Sequence, residues 1–160
     1  MKPMFSIVLL SLTVQTVRSQ PIPPDRELLE RGAGAGMASY ADLNGYPGPK
    51  HLLEMRDTLS LTDGQEKDIE AIFDEMSENA RTKGELIIAK EMELDSKFRL
   101  GVATIPDVRR LTGEIGMLRG ELRAVHMTAH IQARQILTKQ QIALYNTIRH
   151  EASRHASGGH

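Results

Sequence analysis

The sequence predicts an all-α protein built on a long antiparallel helical hairpin, with a short first and a short last helix completing a set of four. Three observations predict it. Apolar residues recur at helical spacing along two long stretches. The pattern Leu-Thr-x-x-Gln occurs twice, each time where a helix should begin. Gly and Pro cluster outside those stretches, where they break helices and favour turns.

Residues 1–19 read as an export signal. Lys2 supplies the positive start, and 4–14 is apolar apart from Ser6, Ser11 and Thr13. Val17 and Ser19 occupy the −3 and −1 positions of a cleavage before Gln20. The stretch is shorter than the roughly 20 apolar residues of a comfortable membrane span. Cleavage is therefore expected, with an uncleaved membrane anchor as the alternative.

Residues 20–48 carry PIPP, then GAGAG at 32–36, then NGYPGP at 44–49. That density of Gly and Pro predicts a flexible segment, with one short helical turn around 25–31. Pro49 suits the first position of a helix, so a short helix is expected from 49 to about 59.

The second helix is expected after Thr62 and runs to about Arg99. In LTDGQ at 61–65 the Thr62 hydroxyl accepts from the third helical N–H, and Gln65 reaches back to the Thr62 N–H. Leu61 stands where a hydrophobic staple would need it. Phe73, Ala80, Ile87 and Leu94 recur every seven residues, flanked early by Ile69 and Met76 but later by Lys83 and Lys90. A helix of this length spans roughly 55 Å. Gly101 permits its stop.

The third helix is expected from about Thr104, with Pro106 in its first turn. Val108, Leu111, Ile115, Leu118, Leu122, Val125, Ala129 and Ile136 form an a/d seam broken only at Gln132. LTKQQ at 137–141 repeats the capping box with Thr138 and Gln141 and opens a last helix from 139 to about 152. Its apolar face is Ile142, Leu144, Tyr145 and Ile148, and 153–160 is expected to be a disordered tail. Residues 49–152 thus make one domain.

A short loop between two long helices makes them antiparallel neighbours. Their charges complement each other: 63–99 carries eleven acids against six bases, and 106–137 carries three acids against five. Such a hairpin cannot bury its apolar stripe alone. The short helices cover part of it, and a second copy, in a homodimer, is expected to cover the rest.

Composition bounds the function. Losing residues 1–19 removes Lys2, Arg18 and no acid, which moves the net charge from −1 to −3. That balance argues against nucleic acid as a partner. There is no Cys and no Trp, so neither a disulfide framework nor a large aromatic pocket is available. No nucleophile elbow is present, and GAGAG follows no strand, so it is not a dinucleotide fingerprint. An enzyme is not expected.

Two boxes in this order, with ADLNGYPGPKHLLEM at 41–55 and HMTAHIQARQILTKQQIALYNTIR at 126–149, resemble the Spy/CpxP or LTxxQ family of periplasmic stress proteins. The chain is also similar to related periplasmic heavy-metal sensor and resistance proteins. The resemblance implies a bent four-helix protein, often a cradle-shaped dimer, in the periplasm. Some members are ATP-independent chaperones that hold unfolded clients on a concave face. Others bind metal and report it to a regulatory system, and docking on a periplasmic sensor-kinase domain is a third role. In the family the boxes are structural, as the capping argument says of Thr62, Gln65, Thr138 and Gln141.

Candidate chemistry centres on His126 and His130, one helical turn apart with both rings on one side. If facing residues in the hairpin sum to about 205, His130 lies level with Glu75 and His126 with Asn79 and Glu78. Two imidazoles and a carboxylate suit zinc, nickel or cobalt, with His51 or Met55 completing the shell. Related sensors draw ligands from comparable regions, of which His126 and His51 match; some have Met where this chain has His130. The alternative is that these rings are solvated and paired with the acidic helix. No cofactor is required; zinc or nickel is the candidate. His150, His155 and His160 make a second, weaker set. Residues 20–160 hold no Met-x-x-Met cluster, which argues against copper. Arg119 and Arg123, with Met117 and Met127 off the seam, are the candidate client-binding side chains. The alternative is that the arginines pair with the acidic helix.

Overall fold

A computed structural model of the chain describes residues 22–34 and 36–157. Among them there are six helices and no strand: α1 Arg26–Glu30, α2 Ser39–Leu43, α3 Pro49–Glu54, α4 Asp63–Arg99, α5 Ile105–Ile136 and α6 Lys139–Ser157. No helix among the described residues is long and apolar enough to cross a membrane. The export signal and the last residues of the expected tail lie outside the described residues. Helix α6 runs past the expected end at 152 to Ser157.

Local chemistry sets the ends of the long helices. Gln65 N donates to Thr62 Oγ1 at 3.2 Å, and Thr62 N donates to Gln65 Oε1 at 3.1 Å, a complete capping box. The start of α6 repeats it, with Gln141 N to Thr138 Oγ1 at 3.2 Å and Thr138 N to Gln141 Oε1 at 2.9 Å. Asp63 and Glu66 in the first turn of α4, and Lys97 and Arg99 in its last, complement the helix dipole. α4 ends in a Schellman motif. Gly101 takes φ +68°, its N–H donates to Phe98 O, and Val102 N donates to Lys97 O. Thr104 then caps α5 by accepting from Asp107 N.

Ion pairs join α4 to α5: Lys83 with Glu121, Lys90 with Glu114 at 2.8 Å, Glu93 with Arg110 at 3.0 Å, and Lys97 with Asp107 at 3.1 Å. The α5 number falls as the α4 number rises. Lys83 and Lys90, which break the α4 stripe, are therefore spent on the acids of α5. Lys90 and then Arg110 hold the Glu114 carboxyl below its usual range.

Two small cores lie along this pair. In one, Leu52, Leu59, Ile69, Ala133, Leu137 and Tyr145 are buried together, with Leu61 packed against them. Leu61 and Leu137, the two residues before the caps, thus anchor both helix starts in one core. In the other, Leu29 joins Ala80, Ile87, Ile88 and Leu122. The expected α5 seam is buried at Leu111, Ile115, Leu122 and Ala129, and where Gln132 breaks it Ala133 is buried instead.

Leu29 marks the main departure from the sequence reading. The segment expected to be flexible is folded onto the long helices: α1 stands at the helical turn expected around 25–31 and α2 is unexpected, so six helices stand where four were expected. The reason lies on α4. Gly84 has no side chain, and a Cβ there would stand 2.8 Å from the carbonyl carbon of Leu29. That bare spot lets the α1 backbone sit directly on α4. Gly32, at φ +61°, turns the chain against the Ser77 carbonyl and the Arg81 N–H. Asp25 then receives two hydrogen bonds from Arg119, at 2.7 and 3.1 Å.

Candidate functional site

His126 and His130 project from α5 under the N-terminal segment. They line a cavity of about 440 Å³ with His51, Asp42, Met37 and Met76. His126 is 5% exposed, and its Nε2 is buried without a hydrogen-bond partner. Burial, and then the neighbouring His130, push its pKa below the ordinary histidine value. Glycines let the backbone lie on both rings. A Cβ on Gly34 would stand 3.1 Å from His126 Nδ1, and one on Gly48 would stand 2.9 Å from His130 Nε2. His130 Nδ1 lies 2.6 Å from the Tyr46 carbonyl. A carbonyl only accepts, so Nδ1 carries the proton. The alternative of solvated flank histidines is thus corrected: the segment expected to be a free tail covers them.

Asp42 organises the mouth of this cavity. It accepts from Tyr145 Oη at 2.8 Å and Arg149 Nη2 at 2.7 Å, and its Oδ1 lies 3.6 Å from His51 Nδ1. Burial, and then the bond to Asp42, raise the Tyr145 phenol above its usual range. One carboxylate therefore ties α2 to α3 and α6. Arg134 adds a bond to the Gly45 carbonyl at 2.9 Å and stacks 4.5 Å over the Tyr46 ring.

The expected metal shell is not assembled. Glu75 lines a different groove, with Met76, Lys83 and Glu121, and Glu78 is exposed and lines neither. Ion-pair partners on α4 and α5 have numbers that sum to about 204. What failed was the angle. Each residue turns the helix by about 100°, so Phe73, Met76 and Ser77 are the α4 residues facing the histidines. Met55, the alternative fourth ligand, packs against the first core. Among the described residues no group of three or more His, Asp and Glu side chains is gathered to hold a metal ion. The side chains of His150, His155 and His160 lie outside the described residues.

The four candidate client-binding residues stand in different surroundings. Arg119 is held by Asp25 and by Glu91 at 3.1 Å, and Asp25 raises its pKa. Arg123 stands 5.3 Å over the Tyr40 ring. Met127 is half-buried, and Met117 is exposed. Of the two readings of the arginines, pairing with the acidic helix holds for Arg119 through Glu91, and its second partner, Asp25, comes from the segment read as flexible.

The cap residues do more than cap. Gln65 Nε2 donates to the Ile136 carbonyl at 2.9 Å and Gln141 Nε2 to the Leu59 carbonyl at 3.2 Å, and each amide also meets the other. Sequence reasoning missed this bridge, and also Asp42, Tyr46, Gly34 and Gly48 around the histidines. The signal was present in one form: glycines at 34, 45 and 48 are where backbone must approach another group closely.

Compared with family models, with curated proteins and with solved structures, the chain matches none.

Proposed function

We propose that this chain is an exported, non-enzymatic protein of the Spy/CpxP kind, working in the periplasm as an ATP-independent holder of unfolded clients. In this reading α4 and α5 form a long antiparallel hairpin and two copies pair into a cradle. The ion pairs whose numbers run in opposite directions support the hairpin. The observation that carries the holding function is apolar surface on charged helices: Leu86, Met92 and Met117 stand exposed on α4 and α5 beside acids and bases. Unbranched thioethers adapt to varied partners, and flanking charge keeps such a surface soluble. The test is light scattering from a diluted, denatured client. Suppression by the parent, lost in Met92→Ser/Met117→Ser with helicity unchanged, is the expected result. A parent that never suppresses, or a variant equal to it, sinks the reading. Sedimentation equilibrium at twice the chain mass is the matching test of the dimer.

A second reading is metal binding, favoured by one observation: the Nε2 of His126 is buried, unpartnered and faces a cavity shared with His51 and His130. A lone imidazole nitrogen kept neutral by burial is a ready ligand. Closing a shell would need His51 or Asp42 to move. Calorimetric titration with zinc and nickel tests it. Saturable binding lost in His126→Ala/His130→Ala supports it; no heat, or heat unchanged by the substitutions, removes it.

A further inference from the structure

The turn between α4 and α5 ends in a small apolar cap. Phe98, Leu100, Val102 and Ile105 are 59, 67, 57 and 71% exposed. Between 98 and 106 the only charged residue is Arg99. Four large apolar side chains within eight residues, all mostly in water, are a patch that marks an interaction site.

The charge around this cap is positive on a chain whose net charge is −1. Residues 95–110 hold the bases Lys97, Arg99, Arg109 and Arg110 against the acids Asp95 and Asp107. Both acids are engaged within the turn. Asp107 takes Lys97 at 3.1 Å and the Thr104 hydroxyl at 2.7 Å, and Asp95 lies 4.0 Å from Arg99. Arg99 and Arg109 remain exposed beside the apolar cap.

We propose that this tip docks on an anionic lipid surface, with Phe98, Leu100, Val102 and Ile105 seated in the headgroup region and Arg99 and Arg109 against lipid phosphates. Three arguments choose this occupant. The tip is the apex of two helices, and a bilayer interface closes around a convex apex that a rigid protein surface would have to receive in a matching pocket. Apolar side chains ringed by arginine are the composition of an interfacial contact. A second copy placed tip to tip would crowd Arg99 and Arg109 of both copies into one small contact, because a two-fold interface uses the same patch on both subunits. No helix among the described residues is apolar enough to span, so the contact is superficial. It does not depend on the client-holding reading.

The chain has no Cys, so one engineered thiol takes one dye. Val102→Cys carries an environment-sensitive fluorophore at the tip. Gln140→Cys carries it in the first turn of α6, just beyond the far end of α5, about 50 Å away by helix rise. Both use the full chain, so any pull from residues 1–19 is common to them. On phosphatidylglycerol vesicles the tip dye should brighten and shift to the blue while the Gln140→Cys dye does not. Phosphatidylcholine vesicles should give far less. Arg99→Gln/Arg109→Gln in the Val102→Cys background, with helicity checked by circular dichroism, should weaken partitioning about 25-fold, about fivefold for each arginine. No shift at the tip, as a partner protein at this site would give, overturns the proposal. So does an equal shift at both positions, an equal response on neutral vesicles, or partitioning unchanged by the double substitution.

Discussion

Gln65 and Gln141 clasp each other across the base of the long helices: the Nε2 of each donates to the Oε1 of the other's amide region, at 2.9 and 3.0 Å. Each also satisfies a carbonyl in the chain leading to the other's helix, Ile136 for Gln65 and Leu59 for Gln141. The two boxes are thus one unit. Gln65→Ala removes the capping return bond and the bridge together, and should cost about 1–3 kcal/mol. Gln141→Ala should cost a similar amount. The double variant should lose less than the two costs added, by about 0.5 kcal/mol or more, because the bridge can be lost only once. Urea unfolding of all four proteins reads the coupling; strict additivity would show that the boxes act separately.

Two glycines on the long helices should respond oppositely to the same change. Gly84→Ala puts a methyl against the Leu29 carbonyl, which is backbone and cannot swing aside. It should cost about 1–3 kcal/mol and loosen the α1 segment, read as faster tryptic cleavage at Arg31. Gly116→Ala meets nothing within 4 Å. It should stabilise by about 0.5–1 kcal/mol, since Ala loses less backbone freedom in a helix. A neutral Gly84→Ala would mean that α1 does not rest on α4.

Acid should weaken the fold first through His126. Burial and His130 lower its folded pKa, so the unfolded chain binds the extra proton more readily. Its contribution is intact above the unfolded value of 6.5 and is lost as pH falls toward the folded value. The groups sharing its cavity are His51, His130 and Asp42, with Arg31 and Lys50 at the rim. The depressed carboxyls of Asp25, Glu93, Asp107 and Glu114 act lower, below their ordinary values of 3.8 and 4.5. Unfolding free energy followed between about pH 8 and 5 should fall for the parent and flatten in His126→Leu. Parallel curves would acquit His126.

Tyr145→Phe keeps the buried ring and deletes its bond to Asp42. A hydrogen bond to a charged acceptor is worth about 1.5–3 kcal/mol, and Arg149 remains to hold the carboxylate, so the lower end is expected. Chemical denaturation measures it. A loss confined to α2, seen as faster hydrogen exchange at 39–43 alone, would localise the effect to the tie that Asp42 makes.

The helical class, the bounds of α4 and α5 and the caps are all legible in the residues alone. Each of these is local chemistry: Thr62 and Gln65 lie three residues apart, Gly101 ends a turn, and an apolar stripe repeats along one face. Only the tertiary structure decided the rest. Glycine density at 32–48 reads as freedom until Gly84, some fifty residues on, is seen to leave a groove for Leu29. His126 reads as a flank residue until Gly34 lies on its ring. Glu75 reads as a ligand until the helix angle turns it into another groove. Arg119 reads as a partner of the acidic helix or of a client, and nothing local shows that Asp25 reaches it across ninety-four positions of chain. Local spacing fixes what neighbours in sequence do; which distant surfaces meet depends on shape complementarity that no short window of residues contains.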